Sequence, residues 1–221
     1  MEIIMTARYI CIEGTEGVGK TTQTQKLVDY LRYYGHSVLQ TKEPGTSHAP
    51  LTLELRNIML NAKYESELTP TARELVSQAI RSIHLQKVIY PRLDSYDFIV
   101  QDRGILSGLA YGVACGNRED WIEQLLQDVV DPLKETSLYD LYSNVVVLTG
   151  DVRKGLDTAR SAKQEFEAGD AIEMRGYSFM ETVNTNMLNM AERFSATIVS
   201  VNNKSIDEVF TEMLMRLSLG E

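Results

Sequence analysis

One short stretch, Gly14-Thr15-Glu16-Gly17-Val18-Gly19-Lys20-Thr21, constrains this chain more than any other. Its spacing is G-x-x-x-x-G-K-[ST], and Thr22 follows directly. The glycines let the backbone curl so that successive N–H groups point inward, a concavity that suits phosphate oxygens. The flanks decide between a phosphate cradle and an ordinary glycine turn. Upstream, Tyr9 to Glu13 (YICIE) reads as a short buried strand. Downstream, Leu27, Val28, Leu31 and Tyr34 recur at helical spacing from Lys20 to Tyr34, and Gly35 is a helix stop. Strand before and helix after is the setting this motif needs, because the helix N-terminus adds partial positive charge. Residues 14 to 22 are therefore expected to hold the phosphates of a nucleoside triphosphate. Lys20 is expected to reach the β- and γ-phosphates, and the Thr21 hydroxyl to ligate Mg²⁺.

The rest of the chain alternates in the same way. SVLQT (37 to 41), DFIVQD (97 to 102), SNVVVLTG (143 to 150) and ATIVSV (196 to 201) read as strands, the last two as runs covered on both faces. Helices are expected over 51 to 60, and from the Thr69 cap and Pro70 to about Tyr90, where Pro91 ends the run. Ser205 with Glu208 forms a capping box for the last helix. Alternating strands and helices predict an α/β fold in three layers, with a central parallel sheet of about five strands. No linker marks a second domain, so residues 1 to 221 are expected to form one.

Composition narrows the partners. The net charge of −9 is a poor match to nonspecific nucleic-acid binding, which needs a basic face. Cys11 and Cys115 stand far apart without CxxC spacing, which fits a reducing, cytoplasmic setting. His36, His48 and His84 lack metal-ligand spacing, so no zinc site is expected. The first ten residues hold no long apolar run, so no signal peptide is expected. No window approaches the roughly 18 apolar residues of a membrane span.

A phosphate loop alone serves GTPases, motor ATPases and kinases alike. The blocks IEGTEGVGKTTQ (12 to 23), KEPG (42 to 45), LR (55 to 56), IRSIH (80 to 84), DR (102 to 103) and SGLAYG (107 to 112) narrow the choice. In this order and spacing they resemble thymidylate kinases, P-loop nucleoside monophosphate kinases that transfer the γ-phosphoryl of ATP to dTMP in nucleotide biosynthesis. The resemblance spans roughly residues 8 to 195. It implies a catalytic set of Lys20, Asp102, Arg103 and a lid arginine, for which Arg160 is the best candidate. Asp102 is expected to share Mg²⁺ with Thr21, or merely to cap. Arg103 and Arg56 would grip the acceptor phosphate, with a surface salt bridge as the plainer alternative for Arg103 and a solvated helix face for Arg56. Arg81 would contact the base, and Glu16 the acceptor sugar and the magnesium shell. Tyr111 would lie beside the 2′ position of the sugar, or simply fill the core. Pro44, Ser77, Ser107 and Gly108 complete the expected acceptor site, His84 is expected to be structural, and a homodimer is implied.

The sequence departs from the family pattern at the base and the lid. Ser77 stands where an aromatic usually stacks on thymine, Gly112 where a glutamine is common, and Gly104 where an aromatic often follows Asp-Arg. Gln78 or a neighbour is expected to replace the lost contacts. A lid is expected over 151 to 179, with Arg153, Lys163 and Arg175 beside Arg160, and Ala171 where relatives often carry arginine. Kinases for another or modified deoxynucleoside monophosphate, a nucleoside kinase, and a nucleotide-binding regulatory protein stay open at this point. A GTPase fits less well, because no N-K-x-D guanine signature is present.

Overall fold

The computed structural model describes residues 7–130, 144–162 and 171–220. Its sheet has the order β2-β3-β1-β4-β5, built from Arg8–Gly14 (β1), Val38–Lys42 (β2), Phe98–Asp102 (β3), Val145–Thr149 (β4) and Thr197–Ser200 (β5). Every pairing is parallel. The register aligns Ile12 and Lys42 with Asp102, and Gly14 with Leu148, so the glycine loop and Asp102 leave the sheet at the same edge. That carboxyl edge is where open α/β sheets bind ligands.

The two faces of β1 explain the layers. Ile10 and Ile12 point into a core shared with Leu27, Val28 and Leu31 of α1 (Lys20–Tyr33) and with Val209 and Met213 of the last helix, α8 (Ile206–Arg216). Tyr9 and Cys11 point the other way, toward Leu106 and Leu109 of α4 (Ile105–Ala114) and Val183 and Met187 of α7 (Gly176–Arg193). A strand buried on both faces cannot alternate apolar with polar, which is why YICIE reads as a nearly unbroken apolar run.

Four further helices complete the described chain: α2 (Pro50–Leu60), α3 (Pro70–His84), α5 (Glu119–Val130) and α6 (Val152–Ala162). The expected caps are present. Thr69 accepts from the Ala72 amide, and Ser205 and Glu208 close a reciprocal capping box. The run from Pro70 ends differently from expectation. The α-helix stops at His84, passes through a π turn at Leu85–Ile89, and ends in a 3₁₀ turn at Tyr90–Arg92 that contains Pro91. Proline has no N–H for the carbonyl four residues back, and its ring crowds that carbonyl. Here that carbonyl is Lys87's, and it accepts instead from Arg92 Nη1 at 3.0 Å. Among the described residues no helix is long and apolar enough to cross a membrane.

Candidate active site

Gly19 takes a left-handed conformation (φ +91°) at the N-terminus of α1, which turns the chain from loop into helix. Lys20 follows and folds back over the loop, where its buried ammonium donates to the Thr15 carbonyl. Burial, then the Arg103 charge, pull its pKa down to about 8. Thr21 Oγ1 donates to Asp102 Oδ2 at 2.7 Å, so the two oxygens expected to share a magnesium ion are neighbours. Oxygen donors suit that ion, which keeps several waters and phosphate oxygens as its other ligands. On its outer side the loop rests on α6. Gly17 (φ +70°) would place a Cβ only 1.8 Å from the Gly155 carbonyl oxygen, and a Cβ on Gly155 would stand 2.5 Å from that of Glu16. Backbone therefore meets backbone, and only glycine fits either position.

The next residue of β1 organises the acceptor side. Strand alternation aims Glu13 at α4, and it is 1% exposed. Its carboxylate accepts from the amides of Gly104 (2.9 Å) and Ser107 (3.1 Å) and from the Ser107 hydroxyl. These are first-turn donors that a helix leaves unpaired. Burial pushes the Glu13 carboxyl up despite those hydrogen bonds. Beside it, Arg103 has a positive φ of 64°, and its guanidinium donates to the Gly14 carbonyl (2.8 Å) and Ser107 Oγ (3.2 Å). It also pairs with Glu16 at 2.7 Å and lies over the Tyr111 ring, 5.5 Å from the centroid. Burial opposes its charge, but Glu16 and then Tyr111 outweigh burial and hold the guanidinium above its ordinary range. Glu16 thus offsets its own cost beside phosphates by orienting an arginine.

Just past β2, Glu43 receives Arg81 through Nε (3.0 Å) and Nη2 (2.9 Å), and His84 Nδ1 at 3.0 Å. The other ring nitrogen of His84 lies 2.7 Å from the Thr41 hydroxyl, so this histidine is buried framework. Burial alone would raise the Glu43 carboxyl, but Arg81 and His84 bring it below its ordinary value. Pro44 follows a cis peptide bond, and Gly45 (φ +82°) lets the Arg56 side chain lie close, 3.1 Å from where a Cβ would sit. A single cavity of about 500 Å³ joins these parts. Lys20, Thr21 and Asp102 line it at the glycine loop, Arg103 just before α4 and Tyr111 within it, Arg56 from α2, and Ser77, Arg81 and Gly112 where α3 meets α4.

The lid is less converged. Thr158 and Ala159 of α6 reach the cavity, whereas Arg153 and Arg160 lie over the Tyr177 ring, 5.2 and 5.7 Å from its centroid, outside the lining. The Tyr177 hydroxyl donates to Asp157 at 2.6 Å, so this cluster ties α6 to α7. Arg175 pairs with Glu65 at 2.7 Å. Ala171 is buried and donates its amide to the Leu60 carbonyl. Lys163 lies outside the described residues.

A phosphate loop, a strand-end Asp-Arg pair and an arginine-lined cavity narrow the choice of family, and comparison with known proteins decides it. The profile of the family described as thymidylate kinase matches residues 12–213. The chain belongs to the thymidylate kinase family. A curated thymidylate kinase of Geobacillus sp. (strain WCH70) is 34% identical over 208 residues, covering 93% of each chain. Another, from Synechococcus sp. (strain CC9605), is 29% identical over 91% of this chain and 92% of its own. The crystal structure of thymidylate kinase from Ehrlichia chaffeensis shares the fold, with a TM-score of 0.73 at 24% identity, over 96% of this chain and 98% of that one. The α/β reading and the nucleoside monophosphate kinase class therefore stand.

Against this family background, several residues stand out that motif reading left without a role. Glu13 is a carboxylate near the end of apolar β1 and Glu43 one just past β2, and each holds another element in place. A charge in a strand that otherwise reads as core was the available signal. Gly155 carried none, because its role exists only where α6 touches the loop. Gln78, expected to replace lost base contacts, does not line the cavity and bridges Glu74 and Arg81 instead.

Proposed function

We propose that this chain, as one kinase domain, transfers the γ-phosphoryl of ATP to dTMP, giving dTDP and ADP. The observation that carries this reading is the continuous cavity lined both by the phosphate loop and by Arg56, Arg81 and Arg103. Two highly charged phosphates must meet in line, so the chemistry asks for positioning and charge neutralisation. Lys20 and the loop amides hold the donor phosphates. Arg103, fixed by Gly14, Ser107 and Glu16, faces the acceptor phosphate with Arg56. Tyr111 packs on Arg103 and borders the sugar. Mg²⁺, when bound through Thr21 and Asp102, neutralises phosphate charge.

A second cavity of about 410 Å³ on the outer side of the loop, bordered by Lys154, Asp151, Val201 and Asn202, offers room for the donor nucleoside. Exposed Leu51, Leu53 and Ile58 on α2 and Leu75 on α3 support a homodimer, which molar mass in solution, by light scattering, would check. Two free thiols fit a cytoplasmic setting.

The test is ADP release from ATP·Mg²⁺ with dTMP, dUMP, dCMP, dGMP, dAMP and thymidine offered separately. Turnover confined to dTMP, or to dTMP and dUMP, is expected. Turnover with another base, or thymidine alone, would overturn the assignment.

A further inference from the structure

Helix α3 carries Glu74, Gln78 and Arg81 at spacings of four and three, so all three lie along one face. They are 3–4% exposed, yet Glu74 and Arg81 line the cavity. Gln78 sits between them. Its Nε2 donates to Glu74 Oε1 at 2.6 Å, and its Oε1 accepts from Arg81 Nη1 at 3.2 Å. The amide thus fixes both charged heads.

Helix α4 faces this row with glycines four residues apart. A Cβ on Gly108 would lie 2.7 Å from Arg81 Nη2, and one on Gly112 would lie 2.5 Å from Glu74 Oε2. The two heads therefore rest on α4 backbone roughly one helical turn, about 6 Å, apart. Any side chain at either position would displace the head above it.

Arg81 only donates, and an ionised Glu74 only accepts. Glu74 Oε1 is taken by Gln78, while Oε2 takes no hydrogen bond among the described residues. That oxygen lies beside Gly112 at the cavity wall, where a ligand can bring it a donor. The cavity wall thus sets the Arg81 guanidinium beside a carboxylate oxygen, where Ser77 supplies no ring to stack on.

We propose that Glu74 determines base specificity: its Oε2 accepts the ring imide N–H of a pyrimidine whose adjacent carbonyl faces Arg81. This rests on the dTMP kinase reading and adds the residue that reads the base. Thymine and uracil present a carbonyl beside an N–H, matching donor beside acceptor. Cytosine carries a lone pair on that ring nitrogen, which would face the carboxylate.

The experiment measures kcat and KM with dTMP, dUMP, dCMP and N3-methyl-dTMP for the natural protein, Glu74→Ala and Glu74→Gln. The natural protein is expected to prefer dTMP over N3-methyl-dTMP by about 10²-fold or more in kcat/KM, since sites built to bond a substrate N–H reject analogues lacking it. Glu74→Ala is expected to raise KM for dTMP about tenfold or more, to leave kcat within a few fold, and to shrink that preference toward one. Glu74→Gln keeps a carbonyl acceptor and should fall between. A purely structural Glu74 would lower both nucleotides alike and leave the ratio unmoved, which overturns the proposal alone. Should Glu74→Ala not fold, the natural protein still decides: equal use of N3-methyl-dTMP and dTMP, or preference for dCMP over dUMP, overturns it. Silence of the natural protein toward dTMP overturns the kinase reading and this proposal together.

Discussion

The two ends of the cavity are built on different principles. At the proposed phosphate end the groups are backbone amides, a lysine one residue past a glycine turn, a hydroxyl in the first turn of α1 and a carboxylate at a strand end. Their positions follow from sheet register and a helix start, and they tolerate little variation. At the base end the working groups are side chains of α3 laid against glycines of α4. Register does not fix them; the packing of two helices does. Phosphate is the same in every nucleotide, so one end can be rigid in sequence, while the base end can change its side chains within the same frame.

This contrast can be broken or sharpened by experiment. Lys20→Ala should lower kcat about 10³-fold or more while leaving the folded protein's melting temperature nearly unchanged, since it removes charge stabilisation of the transferring group. Near-normal turnover in a coupled assay would break the phosphate-end account. Gly17→Ala should come next. Its Cβ would collide with the Gly155 carbonyl, so ATP affinity measured by calorimetry should fall by about 10²-fold, at a strain of about 1–3 kcal/mol. No change in base preference should accompany that loss.

Ser77→Phe probes the other end. A ring there should tighten dTMP binding by about 1–3 kcal/mol if this position stacks on the base, with kcat unchanged. Unchanged or weaker binding would show that the pocket between α3 and α4 has closed around the serine. The pH dependence of donor binding gives the gentlest test. Lys20 titrates at about 8 in the free protein, and only its protonated form pairs with phosphate. ATP affinity should therefore be level below pH 8 and fall toward tenfold per unit above it, until bound phosphate itself retains the proton. A Lys20→Met variant should show weak, flat binding across the same range.

The glycine loop, its flanking strand and helix, and the Asp102-Arg103 pair were legible because each is local: a fixed spacing, a cap, a run of apolar residues. Arg81 was legible through its neighbours, and the structure puts it in the cavity wall. The lid resisted such reading. Arg160 is a charged residue on an exposed helix, and only the placement of Tyr177 shows which ring it lies on. The end of α3 was read as a clean stop at proline, but Arg92 rescues the orphaned carbonyl and lets a π turn and a 3₁₀ turn carry the chain onward.

Sequence by itself determined the alternating α/β order, the phosphate cradle and the family, because hydrophobic period and glycine spacing act over a few residues. Tertiary structure alone decided what three further carboxylates do. Glu13 caps α4 because strand alternation turns it toward that layer, Glu43 clamps Arg81 because β2 ends beside α3, and Glu74 stays open to the cavity because Gly112 leaves it room. A carboxylate's role depends on what faces it across the fold, and residues that face one another here are tens of positions apart in the chain.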